Sequence, residues 1–217
     1  MIVISLLIVV TVSARRLLLS AEIGHIVSNT NQLEYSVGVF VSIYESFPGD
    51  LSNATSYWKD AEVMDGDGDN KIEVSEYEST NALIQMSLAG IIKSQNWIYD
   101  NLYQAYVMES FDYGGATLVS KYTQAGSVRD GFDYAVEEGN YIKFGSGDQY
   151  DDEIFTPTEL YLIDSKIDNG NAHTGSMVIK LSNDASDNCS DSNGIYITTI
   201  KTDSCLSLYR IGILAPE

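Results

Sequence analysis

An α+β fold is predicted for this chain, a long N-terminal helix carrying a globular domain with an antiparallel sheet. Three observations predict it. The first 46 residues are apolar and then amphipathic without a break. Phe47-Pro48-Gly49-Asp50 follows as a stop. Beyond it lie short runs rich in Tyr, Val, Ile and Phe, separated by Gly, Asp and Asn turns. The expected division is residues 1–46 as helix and 47–217 as globular head.

The chain has 217 residues, enough for one helix and one domain with a real core. Twelve Lys and Arg stand against 31 Asp and Glu, a formal charge of −19. Attraction to nucleic acid or anionic lipid is therefore not expected, and cations are the natural partners. Fifteen Tyr, three Pro and 44% hydrophobic residues describe a folded protein rather than an acidic disordered tail.

MIVISLLIVVTVSA opens the chain, followed by Arg15 and Arg16. As a simple membrane span it is too short, since crossing the hydrocarbon takes about 20 apolar residues. As a signal peptide it has an apolar centre and a small-residue end at Val12-Ser13-Ala14, but no basic segment precedes it. As the start of one long helix it continues into Ile23, Ile26, Val27, Leu33, Val37, Phe40, Val41 and Tyr44 at three- and four-residue spacing. Such a helix, ending near Ser46, would be about 70 Å long. Pro48 biases Phe47 away from helical angles and Gly49 permits the turn.

Asp65-Gly66-Asp67-Gly68-Asp69-Asn70-Lys71-Ile72-Glu73-Val74-Ser75-Glu76 places acids at positions one, three, five and twelve of a twelve-residue loop, the spacing of an EF-hand calcium loop. Asp65, Asp67 and Asp69 would converge, the Lys71 carbonyl would contribute from the backbone, Glu73 would act through water and Glu76 would close the shell. Asn70 stands where Gly is usual, and Asn tolerates a left-handed backbone. No regular entering helix is evident in SYWKDAEVM, so the reading is a half EF-hand or dockerin-like loop with a structural role. The expected ion is calcium.

A second helix is expected from Glu76 to about Ser94, with Leu83, Met86, Ile91 and Ile92 toward the core. Strand-like runs follow at 116–121, 140–144, 176–181, 194–200 and 207–213. Thr156–Lys166 is helical, with Thr156 as N-cap, Pro157 in the first position and Glu159 three residues on. Cys189 and Cys205 lie in a polar stretch without a metal-ligand or nucleophile pattern. In an exported protein they form one disulfide; in a cytosolic one they are two thiols.

Asn53-Ala54-Thr55 and Asn188-Cys189-Ser190 match the glycosylation sequon. Acidic clusters at 148–153 and 184–191 read as solvated surface or as a second cation site. Aromatic crowding at Trp97, Tyr99, Tyr103, Tyr106, Phe111 and Tyr113 reads as core. His25 reads as a packing or interface residue and His173 as solvated. No nucleophile elbow, zinc-protease motif, phosphate-binding glycine loop or Cys–His arrangement is present, and no enzyme activity is expected.

Taken in order, EYSVGVFVSIYESFPGDLSNATSYW at Glu34–Trp58, the acidic loop, SLAGII at Ser87–Ile92, YIKFGSG at Tyr141–Gly147, TPTELYLIDSKIDNG at Thr156–Gly170 and the C-terminal cysteine pair resemble the type IV pilin-like and pseudopilin family. The resemblance implies a structural subunit of an extracellular filament, held in the inner membrane before assembly, whose partner is its own helical homopolymer through the N-terminal helices. Family helices carry a glutamate at the fifth mature position, where this chain has Ser5 if Met1 is the mature start. Arg15 and Arg16 also depart from the family pattern and favour an alternative, a membrane-anchored calcium-dependent module that binds carbohydrate or protein and does not polymerise.

Overall fold

The computed structural model describes residues 2–59, 62–73, 77–93, 97–100, 105–108, 115–121, 138–146, 152–180 and 189–213. Helix α1 runs Ile2–Tyr44, one helix as the apolar periodicity requires. At 1.5 Å per residue its 43 residues span about 65 Å. Among the described residues no helix is long and apolar enough to cross a membrane.

Ile23, Ile26, Thr30, Leu33, Val37 and Phe40 of α1 are buried, an alternating three- and four-residue stripe against the head. Thr30 fits this apolar stripe because its hydroxyl donates to the Ile26 carbonyl at 2.9 Å. Residues 13–18 are exposed, with Leu17 and Leu18 at 71% and 70%. Among the α1 side chains described, the head therefore covers the stripe from Ile23 to Phe40 and leaves residues 13–18 bare. The helix ends at Tyr44, two residues before the expected Ser46, because Glu45 already leaves the helical conformation ahead of the Pro-Gly break. Glu45 and Gly49 take positive φ, and Phe47 and Pro48 turn inward and are buried.

A short helix α2 (Ala54–Tyr57) follows, then α3 (Glu78–Leu88). α3 starts two residues later than expected, after Tyr77 in a left-handed conformation, and stops well before Ser94. Gly90 at φ +71 donates to the Ser87 carbonyl and Ile91 to that of Met86, a glycine C-terminal motif that overrides the apolar periodicity running on through Ile91 and Ile92. Leu83 and Met86 are buried as expected, and the two isoleucines pack half-buried against the core.

Strands β1 (Trp97–Asp100) and β2 (Ala105–Met108) form a two-stranded antiparallel ribbon. Strands β3 (Gly115–Lys121), β4 (Gly139–Gly145), β5 (Met177–Ile179) and β6 (Ser207–Arg210) form a four-stranded antiparallel sheet in the order β3-β4-β6-β5. In its register Leu118 faces Ile142 and Val178 faces Leu208. Alternation sends Ala116, Leu118, Ile142, Phe144, Met177 and Ile179 into the main core shared with α1 and α3. Val119, Tyr141, Val178 and Leu208 form a second small core with Leu206 on the opposite face. The architecture is α+β, as predicted.

Helix α4 (Pro157–Ile167) lies against α1 and begins with the full reciprocal cap: the Thr156 hydroxyl accepts from the Glu159 N–H, and the Glu159 carboxylate accepts from the Thr156 N–H. Residues 194–200, expected as a strand, instead form turns and a single antiparallel bridge between Tyr196 and Ser190. Asp191 Oδ1 accepts the N–H groups of Asn193 and Ile195, and these local bonds replace a sheet ladder. Cys189 and Cys205 are joined in a buried disulfide with Cα atoms 5.2 Å apart.

Glu76, Tyr103, Phe111, Tyr113 and Asn188 of the second sequon lie outside the described residues, as do the side chains of Trp97, Tyr99 and Tyr106 and most of both minor acidic clusters.

Candidate metal centre

The acidic loop folds around a residue outside it. Asp50, the first residue after the Pro-Gly break, is fully buried. One of its carboxylate oxygens accepts the N–H groups of Gly68 at 2.6 Å and Asp69 at 3.1 Å, and the other accepts that of Asn70 at 2.8 Å. Gly68 and Asn70 both have positive φ, which turns successive N–H groups toward one anion. Asn70 thus keeps the left-handed conformation expected of it. Gly66 allows the close approach, since a Cβ there would overlap the main chain of Asp50.

Glu78, in the first turn of α3, is the second buried anchor. Its two oxygens accept from Asp67 N–H at 3.2 Å and Glu73 N–H at 3.0 Å. Buried amides complete the frame. Gln85 accepts from Gly49 N–H at 2.7 Å and donates to the carbonyls of Gly49 and Met64, while Asn81 accepts from Met64 N–H at 3.0 Å. Asn140 of β4 donates to the Asn70 carbonyl at 3.1 Å. The helix-head join, the loop, α3 and the sheet are thereby tied at one place.

Two groups of carboxylates result, sharing Asp67. Oxygens of Asp50, Asp67 and Asp69 lie within 4.8 Å of one another, as do those of Asp67, Glu73 and Glu78. Burial pushes Asp50 up to about 7 against the pull of the Asn70 and Gly68 N–H groups. Burial likewise raises Glu78 to about 8 despite the N–H groups of Glu73 and Asp67. Glu73 is raised by burial and by the charge of Asp69, and its Oε2 is buried with no hydrogen-bond partner. Lys71 pairs with Asp69, the ion pair found among the described residues.

The donor set is carboxylate oxygen only, drawn from three segments of chain, without thiolate or imidazole. That chemistry fits a hard divalent cation, which takes several oxygen ligands, and does not fit a soft one. These acidic groups, with Asp50 and Glu78 buried, Asp69 and Glu73 half-buried and Asp67 exposed, could hold a metal ion.

The residues expected from loop spacing divide. Asp67 and Asp69 enter the centre. Asp65 does not join the groups: its carboxylate accepts from Thr55 N–H at 2.8 Å and Thr55 Oγ1 at 3.0 Å, fastening α2 to the loop. Lys71 meets Asp69 through both its N–H, at 2.9 Å, and its ammonium. Asp50 and Glu78, the most buried carboxylates of the centre, are absent from the sequence reading. Asp50 reads there only as a turn residue, and Glu78 lies two positions beyond the loop's expected last ligand.

A third buried carboxylate, Asp164 of α4, lies outside this centre; it accepts from Tyr196 Oη at 2.8 Å and Gly170 N–H at 3.0 Å, and burial raises it to about 6. It ties α4 to the disulfide region. His173 is not simply solvated: it is half-buried, with Nε2 2.9 Å from Ser190 Oγ. His25 is exposed on α1, 3.1 Å from the Asn29 amide.

Comparison with protein-family models, with curated proteins and with solved structures returns no match.

Proposed function

We propose that the chain is a pilin-like structural subunit of an extracellular filament, with calcium as the ion of its acidic centre. The observation that carries this reading is the uneven coverage of α1. The head buries the stripe from Ile23 to Phe40, while the helix continues toward its N-terminus with Leu17 and Leu18 bare. Apolar side chains exposed on a long helix call for a partner surface, and identical helices packed side by side supply one.

The acidic centre supports the same reading from the other end of the helix. Its ion would bind Asp50 at the join, Asp67 and Asp69 in the loop, and Glu73 and Glu78 at the start of α3, fixing the angle at which the head leaves the helix. Calcium suits a flexible, carboxylate-rich oxygen site better than magnesium, which demands tighter octahedral geometry. In a filament of subunits each carrying −19, divalent ions would also screen repulsion between neighbours.

Chelation tests the proposal. Full-length chains assembled in calcium are expected to loosen or disperse on prolonged exposure to a calcium chelator and to reassemble on its removal. Filaments unchanged by chelation would sever the ion from assembly, and full-length chains that never polymerise would support the anchored, non-polymerising module instead.

A further inference from the structure

A groove of about 550 Å³ runs along the flank of α1 where the C-terminal segment crosses it, lined by Glu34, Tyr35, Gly38, Ser42, Gly212 and Ile213. We propose that this groove receives the Arg15–Leu18 segment of α1 from a second copy of the chain, in a parallel arrangement staggered by about 28 Å along the helix axis. The inference rests on the filament reading and gives it a register.

The groove has the features a guanidinium and a leucine require. Glu34 accepts Gly212 N–H at 2.8 Å and Tyr209 Oη at 3.0 Å, both neutral donors. No cation pairs with it among the described residues. A carboxylate has about four acceptor positions, so room remains for a charge-assisted bond. Beside it the Tyr35 ring is 74% exposed, a face on which a planar guanidinium stacks. The floor is low and apolar: Gly38 has no side chain, and Ile213 Cδ1 would lie 3.3 Å from a Cβ placed there.

The complementary surface is on the same chain but out of its own reach. Arg15 and Arg16 are the only Lys or Arg residues of α1, and both are exposed beside Leu17 and Leu18. Neither has an ion-pair partner among the described residues. Arg15 stands nineteen residues before Glu34, and Arg16 nineteen before Tyr35, on one continuous helix. The arginines are thus held about 28 Å from the groove of their own chain and can enter only that of another copy. The equal offset lets both contacts form at once when two helices run parallel. Each copy then offers a groove to one neighbour and an arginine pair to the next, a head-to-tail contact that does not close on itself and so propagates.

Cysteine cross-linking of the full-length chain in calcium tests the register. The native cysteines are tied in a buried disulfide and do not compete. Arg16→Cys combined with Tyr35→Cys replaces two exposed side chains, and mild oxidation is expected to give a ladder of covalent trimers and longer species. Arg16→Cys combined with Ile43→Cys, about 12 Å out of register, is expected to give at least tenfold less. Arg15→Glu with Arg16→Glu, both at exposed positions, is expected to weaken sedimenting assembly at least tenfold while leaving the melting temperature of the head unchanged. Dimers without a ladder, or equal ladders from both cysteine pairs, would overturn the register while leaving polymerisation standing. A native chain that remains monomeric with no ladder would overturn both the register and the filament reading.

Discussion

Replacing Asp50 by Asn separates the two roles assigned to this carboxylate, organiser of the loop and ligand of the ion. The carboxamide keeps one oxygen to accept from Gly68 and Asp69, but its NH₂ faces the Asn70 N–H that the second oxygen now accepts at 2.8 Å. Losing that bond inside the fold costs about 1–3 kcal/mol. Removing a buried charge from beside Asp67 and Asp69 offsets part of this, so without calcium the variant is expected to stay folded and to lie within about 2 kcal/mol of the native chain. The ion-linked increment behaves differently. At a hundredfold excess over the dissociation constant, bound calcium stabilises the native chain by about 2.7 kcal/mol, or about 5–10 °C in Tm for a chain of this size. A hundredfold weaker site at the same calcium concentration retains about 0.4 kcal/mol, a shift under about 2 °C. Thermal unfolding followed by circular dichroism, in chelator and then in calcium, reads both numbers. An Asp50→Asn variant with the full native increment would refute the assignment of Asp50 as a ligand, and a native chain with no increment would refute the ion itself.

Three further outcomes are expected. In chelator, stability should fall as pH rises from about 5 to 8, because the folded chain holds protons on Asp50 and Glu78, raised to about 7 and about 8, that the unfolded chain has already released; the slope is on the order of 1 kcal/mol per pH unit, calcium should flatten it, and a stability rising over this range in urea titrations would contradict the burial argument. Phe40→Ala should cost about 3–5 kcal/mol, since the ring is fully buried where α1 meets the head and stacks 4.5 Å from Tyr44; a loss below about 1 kcal/mol would show that the head does not depend on α1. Reducing the Cys189–Cys205 bond, which spans 16 positions, should lower stability by about 3 kcal/mol and Tm by about 6–12 °C, whereas an unchanged Tm in reductant would mean that the surrounding hydrogen bonds hold the region alone.

What could be read ahead of the structure was what is encoded locally. The α1 stripe repeats every three or four residues, the Pro-Gly break acts on its immediate neighbours, and the Thr156 cap involves only residues 156–159, so each follows from adjacent sequence. The failures arise where a short-range signal was masked or the partner was distant. Gly90 ends α3 although Ile91 and Ile92 prolong the apolar pattern, and with hindsight that glycine was the legible stop. Residues 194–200 have strand-like composition, but the Asp191 carboxylate claims the neighbouring N–H groups first. In the candidate metal centre, Asp67 and Asp69 of the expected loop lie close together, yet loop spacing could not show that Asp65 turns to Thr55 or that Asp50, eighteen residues before Gly68, occupies the middle of the loop. That arrangement depends on Gly66 and Gly68 bringing the loop backbone onto the join, a tertiary contact with no sequence period.

Cryo-electron microscopy of the full-length chain in calcium tests the central claim most directly. The account predicts helical polymers with α1 packed in parallel at the core, neighbouring copies placing Arg15 beside Glu34, heads outward, and density among Asp50, Asp67, Asp69, Glu73 and Glu78. Dispersed monomers under the same conditions, or polymers built through the heads with α1 left bare, would contradict it.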